Sequence, residues 1–272
     1  MKYGFVLPSG DARAVANAAR EAEQAGWDGF FVWEPVWGVD AWVALTAAAM
    51  VTERIRLGTM LSPVSRMRPW KLASETATLD NLSGGRVILS VGLGAVDTGF
   101  EAFGEETDRK KRAELLDEGL EIVTGLWGGQ PFKFEGKHYH VNETEFSLPA
   151  PPVQQPRIPI WVVGAWPRMK SMRRVLQYDG LIPTVVGGEA SQGTPGDLRA
   201  AVSYVMANRQ ADTPFDFVVE GTTPGGDAAS QREQVEPWAE AGATWWMEAL
   251  WQSEGLDPVL QRLREGPPRL GL

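Results

Sequence analysis

A single carboxylate, Glu34, stands where the apolar run Gly29–Trp33 ends, followed by Pro35 and then by Trp37 and Trp42. A carboxyl group in such a place can serve as a general acid or base, orient a ligand, or cap the next helix. Gly92-Leu93-Gly94-Ala95 closes a second apolar run. Two glycines so spaced make a tight turn, and they also let the backbone approach a flat ring or an anion closely. Asp97 occupies the place of the third glycine of a dinucleotide fingerprint, so no Rossmann site follows. Gly164-Ala165-Trp166-Pro167-Arg168 comes straight after a third apolar run and opens a short helix. Backbone N–H groups at that helix start, with Arg168 and Lys170, suit a phosphate, although an ordinary turn with solvated cations fits the same residues.

Composition narrows the chemistry further. The chain of 272 residues has no cysteine, which excludes disulfides, thiolate nucleophiles, iron–sulfur clusters and zinc–thiolate sites. His138 and His140 are its two histidines, too few for a histidine-rich metal site, and no metal is expected. A formal net charge of −9 without a basic cluster argues against nucleic acid as a partner. No apolar run reaches the length of a membrane span, and the start turns polar by Ser9, too soon for a signal peptide. A soluble cytoplasmic protein is the expectation. The 12 tryptophans suit either bulky packing or a pocket walled with flat surfaces for a flat ligand.

The elements that must position these residues alternate. Apolar or β-branched runs occur at Tyr3–Leu7, Gly29–Trp33, Ile55–Leu61, Arg86–Gly92, Pro159–Gly164, Gly180–Thr184, Phe215–Glu220 and Ala243–Ala249. Helical patterns separate them, so the strands are parallel with right-handed crossovers. Asp11, Asp40, Asp108, Thr194 and Asp227 read as N-caps, Pro69 as a first helical residue, and Gly26 and Gly84 as stops. Eight such units predict an α/β fold, a (β/α)8 TIM barrel over residues 1–272 as a single domain, with its chemistry at the C-terminal strand ends. Before the fifth strand the spacing lengthens to admit an insertion at 129–157, a hairpin and a proline-rich segment expected near the barrel mouth. His138 and His140 would then alternate on one hairpin strand, facing solvent. The charges of 108–121, including Arg109 and Arg112, read as a solvated helix face. Gly187–Gly193 and Thr222–Gly226 read as mobile gating loops.

At this point a resemblance enters. Thr52-Glu53-Arg54-Ile55-Arg56-Leu57-Gly58-Thr59 and Leu79-Asp80-Asn81-Leu82-Ser83-Gly84-Gly85-Arg86-Val87 resemble blocks of the bacterial luciferase-like monooxygenase family. So do Glu23–Asp28, Pro156–Val162 and Tyr178–Pro183. The family's fold is a TIM barrel with an insertion before the fifth strand. Its cofactor is FMN or the deazaflavin coenzyme F420. By position, the resemblance implies that Met60 and Leu61 back the ring, often across a non-proline cis peptide. It likewise implies that Gly92, Leu93 and Gly94, with Gly164, Ala165, Trp166 and Arg168, contact ring and phosphate.

Two departures stand out against the family. Many deazaflavin members carry Asp-His at the end of the second strand with a tryptophan soon after, where this chain has Glu34-Pro35 and then Trp37. Glu34 and Trp37 therefore become the candidate catalytic residues. A glutamate often found after the fourth-strand glycines is replaced by Ala95. The resemblance implies an F420- or FMN-dependent oxidoreductase or monooxygenase acting on a small organic substrate. Chain length leans toward F420. It also implies a flavin reductase or an F420-reducing enzyme as redox partner, and a homodimer. Two other readings stay open: a non-catalytic barrel that stores or senses a flavin, and a lyase or isomerase that uses none.

Overall fold

The computed structural model describes residues 1–145, 150–186 and 193–268. Each of the eight apolar runs forms a strand: β1 (Lys2–Leu7), β2 (Gly29–Val32), β3 (Arg56–Thr59), β4 (Val87–Gly92), β5 (Ile160–Trp166), β6 (Gly180–Val185), β7 (Asp216–Gly221) and β8 (Trp245–Ala249). Every neighbouring pair is parallel, and β1 pairs with both β2 and β8, which closes the barrel. The TIM barrel expected from the alternation is what the chain forms.

The helices start and stop where local chemistry directs. In α1 (Ala12–Ala25) the Asp11 carboxylate accepts from Ala14 N at 2.8 Å, and Gly26, at φ 92°, ends the helix. Asp40 caps α2 (Ala41–Ala49) in the same way, and Pro69 opens α3 (Pro69–Ser83). Asp108 caps α4 (Arg109–Trp127), which precedes the short α5 (Met169–Val175). Thr194 and Asp197 form a reciprocal capping box on α6 (Pro195–Asn208). Asp227 caps α7 (Ala228–Glu240), and α8 (Asp257–Arg264) completes the ring.

The barrel interior is packed, not hollow. Phe31 stacks on Trp161 with ring centroids 5.5 Å apart, and Trp161 meets Trp245 edge-on at 5.1 Å. Val6, Ile88, Val218 and Met247 fill the space around them. A Cβ on Gly58 would run into the Ile88 carbonyl and the Phe31 ring, so this interior depends on a glycine there. The plug keeps ligands out of the lumen and leaves the strand ends as the available site.

The opposite, N-terminal face is fastened by the block that carries the sharpest resemblance. Arg86, buried, donates to Ser83 O, Ala49 O, Thr52 O, Thr52 Oγ1 and Ile55 O. Asp80, fully buried, accepts from Gln154 N and Nε2. That block therefore holds the barrel together far from its mouth.

The insertion corrects two expectations. Its hairpin (Phe132–Glu135 with His140–Thr144) lies against α4, where Glu118 accepts from Lys137 N, His138 N and Tyr139 N, each at 2.9 Å. Its proline-rich part meets the start of β4 through Gln154. None of its described residues lines the cavities at the mouth, because α4 delivers the chain to the far face. His138 and His140 do not share a strand either. His138 sits in the hairpin turn and reaches Glu114 at 2.9 Å, while His140 lies on the returning strand. Glu114 and Glu118 are thus hairpin anchors and not merely solvated charges.

Candidate functional site

Two cavities share the C-terminal end of the barrel. One, of about 710 Å3, lies over the ends of β2 to β5; the other, of about 880 Å3, lies over β6 to β8. Met60, Leu61, Ala95, Val163, Thr184 and Trp251 line both, so the pair forms one divided mouth. The Met60–Leu61 peptide is cis, as the family resemblance implies.

Glu34 lines the smaller cavity. Ser62 donates its hydroxyl hydrogen to Glu34 Oε2, and Thr59 Oγ1 lies 2.8 Å from Ser62 Oγ. Arg66 donates to the Glu34 main-chain carbonyl at 2.8 Å. Burial pushes the Glu34 carboxyl up to about 7, against the lowering influence of the Ser62 hydrogen bond and the Arg66 charge. A carboxyl group poised near neutrality can give or take a proton at working pH. Asp40, not Glu34, caps α2, so the capping alternative for Glu34 falls away.

The cationic side of this cavity comes from α4 and α5. Arg109, Arg112, Arg174 and Ser171 line it. Arg112 is 7% exposed; its Nη1 donates to Leu93 O at 2.7 Å and Gly94 O at 3.0 Å, while its buried Nε has no partner. Arg174 is held by Asp117, with Nη2 2.9 Å from Oδ2. The expectation of a solvated face is thereby corrected for Arg112, whereas Arg109 lines the cavity and is exposed as expected. A signal for it existed: four cations, Arg109 to Arg112, crowd the N-terminus of a helix, where the macrodipole disfavours them.

The expected site residues divide. Glu34, Met60, Leu61, Leu93, Gly94 and Ala165 line the smaller cavity. Gly92, Gly164, Trp166 and Arg168 do not. Arg168 is exposed at the start of α5. A Cβ on Gly164 would meet Leu181, Val175 and Met172, so that glycine serves packing against α5. The Ala165 N–H is already taken by Ser171 Oγ at 2.9 Å. Trp37, 83% exposed, lines only a small separate pocket near α2.

The tryptophans are largely structural, contrary to the ring-wall expectation. Trp33 and Trp251 alone of the 12 line the mouth cavities. Trp27 and Trp127 are buried and donate to Leu263 O and Ala73 O. The Thr222–Gly226 loop is pinned and not free to gate: Thr223 N and Oγ1 donate to buried Glu248 at 2.6 and 2.9 Å. Of the other expected gating loop, residues 187–192 lie outside the described residues.

Sequence reasoning missed Arg174 and Ser171, which line the smaller cavity, as well as Glu220 at the mouth and Ser62 behind Glu34. Glu220 ends β7 beside Trp251, whose Nε1 donates to Oε1 at 2.8 Å. Glu220 lies at a C-terminal strand end and Ser62 in the segment just past β3, positions that would have pointed to both.

Comparison with known proteins follows the same lines. The family model described as luciferase-like monooxygenase matches residues 3–223. An uncharacterized protein of Mycobacterium tuberculosis is 33% identical over 210 residues, covering 68% of this chain and 72% of its own length. An F420-dependent glucose-6-phosphate dehydrogenase of Amycolatopsis mediterranei is 27% identical, over 92% of this chain and 80% of its own. In structure, an F420-dependent secondary alcohol dehydrogenase in complex with an F420-acetone adduct superposes with a TM-score of 0.79 at 16% identity, covering 98% of both chains.

Proposed function

The chain belongs to the luciferase-like monooxygenase family, and from that premise we propose how its mouth works as an oxidoreductase site. The cofactor of this oxidoreductase is coenzyme F420 or FMN, and its substrate is a small molecule. Either cofactor pairs a flat, largely apolar ring with an anionic phosphate tail. The smaller cavity offers a matching pair of surfaces, apolar Met60, Leu61 and Val163 beside the cations of α4 and α5. The observation that carries the placement is the buried Arg112 guanidinium, whose Nε lacks a partner where an anion would supply one.

In this reading Met60, Leu61, Leu93, Gly94 and Ala165 hold the ring, and Arg109, Arg112 and Ser171 hold the phosphate. When bound, the cofactor supplies two-electron transfer, as hydride exchange with F420 or as oxygen activation with FMN. Glu34 holds and moves the proton at its carboxyl oxygens, with Ser62 and Thr59 setting its orientation. Apolar side chains at the floor exclude water from the reacting atoms. Hydride transfer with F420 is the reading favoured, on the dehydrogenase relative that spans 92% of the chain.

The wider context follows from it. Residues 1–272 act as one domain in the cytoplasm; an F420-reducing enzyme supplies reduced F420 where the substrate is to be reduced, or a flavin reductase supplies reduced FMN if FMN is used. Exposed Val43 and Met50 at α2 and Leu82 on α3 support a homodimer. Among the described residues, no helix is long and apolar enough to cross a membrane.

The test is a fluorescence titration of purified protein with F420 and, separately, with FMN. Micromolar or tighter binding of one, lost on Arg112→Ala, is the expected result. Binding of neither sinks the placement.

A further inference from the structure

Beside the mouth lies a third chamber, of about 180 Å3, wedged between the turns after β1 and β2 and the helices α1 and α2. Leu7, Val15, Val32, Pro35, Ala41 and Ala44 are among its walls. Among the described residues Ser9 gives it its one hydroxyl, and no carboxylate, ammonium or guanidinium lines it. The space exists because α2 borders it with short side chains: Ala41 and Ala44, both buried, present single methyl groups there.

The chamber adjoins the smaller mouth cavity. Pro8 and Trp33 line both and so form the partition. The chain past β2 then divides between the two: Glu34 lines the mouth cavity and Pro35 the chamber. Adjacent Cα atoms lie about 3.8 Å apart, so a molecule whose reacting group meets Glu34 has the chamber at its flank.

Its rim is apolar where water reaches it. Trp33, Trp37 and Val39 all line the chamber and all are exposed. Exposed apolar side chains scattered singly mean little, but three around one concavity mark a place that an apolar group covers. The volume decides the size of that group. Whole-ligand sites run to roughly 300–1,000 Å3, so this chamber takes part of a molecule. A cavity of about 150 Å3 holds a benzene, which sets that part at about six carbons. A sugar or a phosphate would give up its hydration and find only Ser9 in return.

We propose that the chamber is an annex of the substrate site and that the substrate carries an apolar chain or ring of about six carbons beside its reacting group, seated between Trp33, Trp37 and α2. This rests on Glu34 as proton carrier and on the cofactor occupying the smaller cavity. It gives Trp37 a part in binding substrate, away from the cofactor.

Saturation-transfer NMR titrations of 1-propanol and 1-hexanol, into protein loaded with whichever cofactor binds, test it. Burying a methylene is worth about fourfold in affinity, so 1-hexanol should bind at least about tenfold tighter than 1-propanol. Ala44→Phe supplies a six-carbon ring from the protein itself and should bring the two alcohols to near equality while leaving cofactor affinity unchanged. Trp37→Ala alters an exposed side chain, so it tests the wall without disturbing the core, and it should weaken 1-hexanol with 1-propanol little changed. No gain with chain length in the wild-type protein, or a gain that survives either substitution undiminished, overturns the proposal and leaves the cofactor assignment standing. A shift of oligomeric state in Trp37→Ala, read by light scattering, overturns it too, since Trp37 would then cover a second copy of the chain. If neither cofactor binds the wild-type protein, the underlying assignment fails and the proposal with it.

Discussion

Ser62 donates its hydroxyl hydrogen to Oε2 of Glu34, which joins the end of β2 to the segment just past the cis Met60–Leu61 peptide. The contact places the proposed proton carrier and the proposed ring support on one rigid corner. Thr59, at the end of β3, extends the chain of hydroxyls to the strand itself.

Glu34 titrates near 7, so the pH profile of kcat/KM should inflect there. Glu34→Gln should abolish that inflection and lower kcat/KM by about 10²–10⁴, the usual range for a lost general acid or base. Cofactor affinity should stay within a fewfold of wild type. A Glu34→Gln enzyme with undiminished turnover would remove the carboxyl from the mechanism.

Ser62→Ala tests the same group from its partner. The Ser62 hydrogen bond favours the ionised carboxylate, so removing it raises the Glu34 pKa. The inflection should move to higher pH. A profile that stays put, or moves down, contradicts the geometry.

Arg112 ties α4 to the turn after β4 and faces the proposed phosphate position. Arg112→Ala should weaken cofactor binding by about tenfold or more, as for loss of a charged hydrogen bond. Arg112→Lys should recover only part of this, since an ammonium cannot reproduce the guanidinium fork. Equal affinities for the three proteins in a cofactor titration would place the phosphate elsewhere.

Stability in acid should depend on Glu23. Burial alone would raise its carboxyl, but hydrogen bonds from Arg54 N (2.6 Å), Ile55 N (2.8 Å) and Glu53 N (3.1 Å) bring it below the usual range. A carboxylate depressed on folding stabilises above its unfolded pKa, here 4.5, and that contribution is lost as pH falls through the folded value. Glu23→Gln should therefore cost about 1 kcal/mol at pH 7, as a partly exposed charged hydrogen-bond acceptor does. Urea melts should show that difference shrinking below pH 4.5.

Gly58→Ala asks how tightly the lumen is packed. The added methyl faces the Ile88 backbone oxygen, which cannot swing away as a side-chain tip can. Destabilisation of about 1–3 kcal/mol is expected, read from the denaturant midpoint. A neutral substitution would mean a looser interior than Phe31, Trp161 and Trp245 form here.

Much of the architecture was legible because it is written in short-range terms. A strand run, an Asp or Thr cap and a glycine stop each act over a few residues, so the eight βα units and their order follow from reading along the chain. The resemblance added Met60 and Leu61, and strand-end position added Glu34. Arg112 and Glu220 left only indirect signals, cations at a helix N-terminus and a strand-end position, and Arg174 left none, because an arginine in a helix reads as solvated until a barrel closes around it. Burial of a tryptophan is equally silent on direction: Trp161 and Trp245 point into the lumen, whereas Trp251 lines the mouth. Partners such as Glu34 and Ser62, in strand-end loops, or Arg174 and Asp117, on neighbouring helices, meet only because the closed barrel brings distant segments together. Local periodicity governs which segments become strands and helices; which side chains meet at the mouth emerges only when all eight strand ends converge.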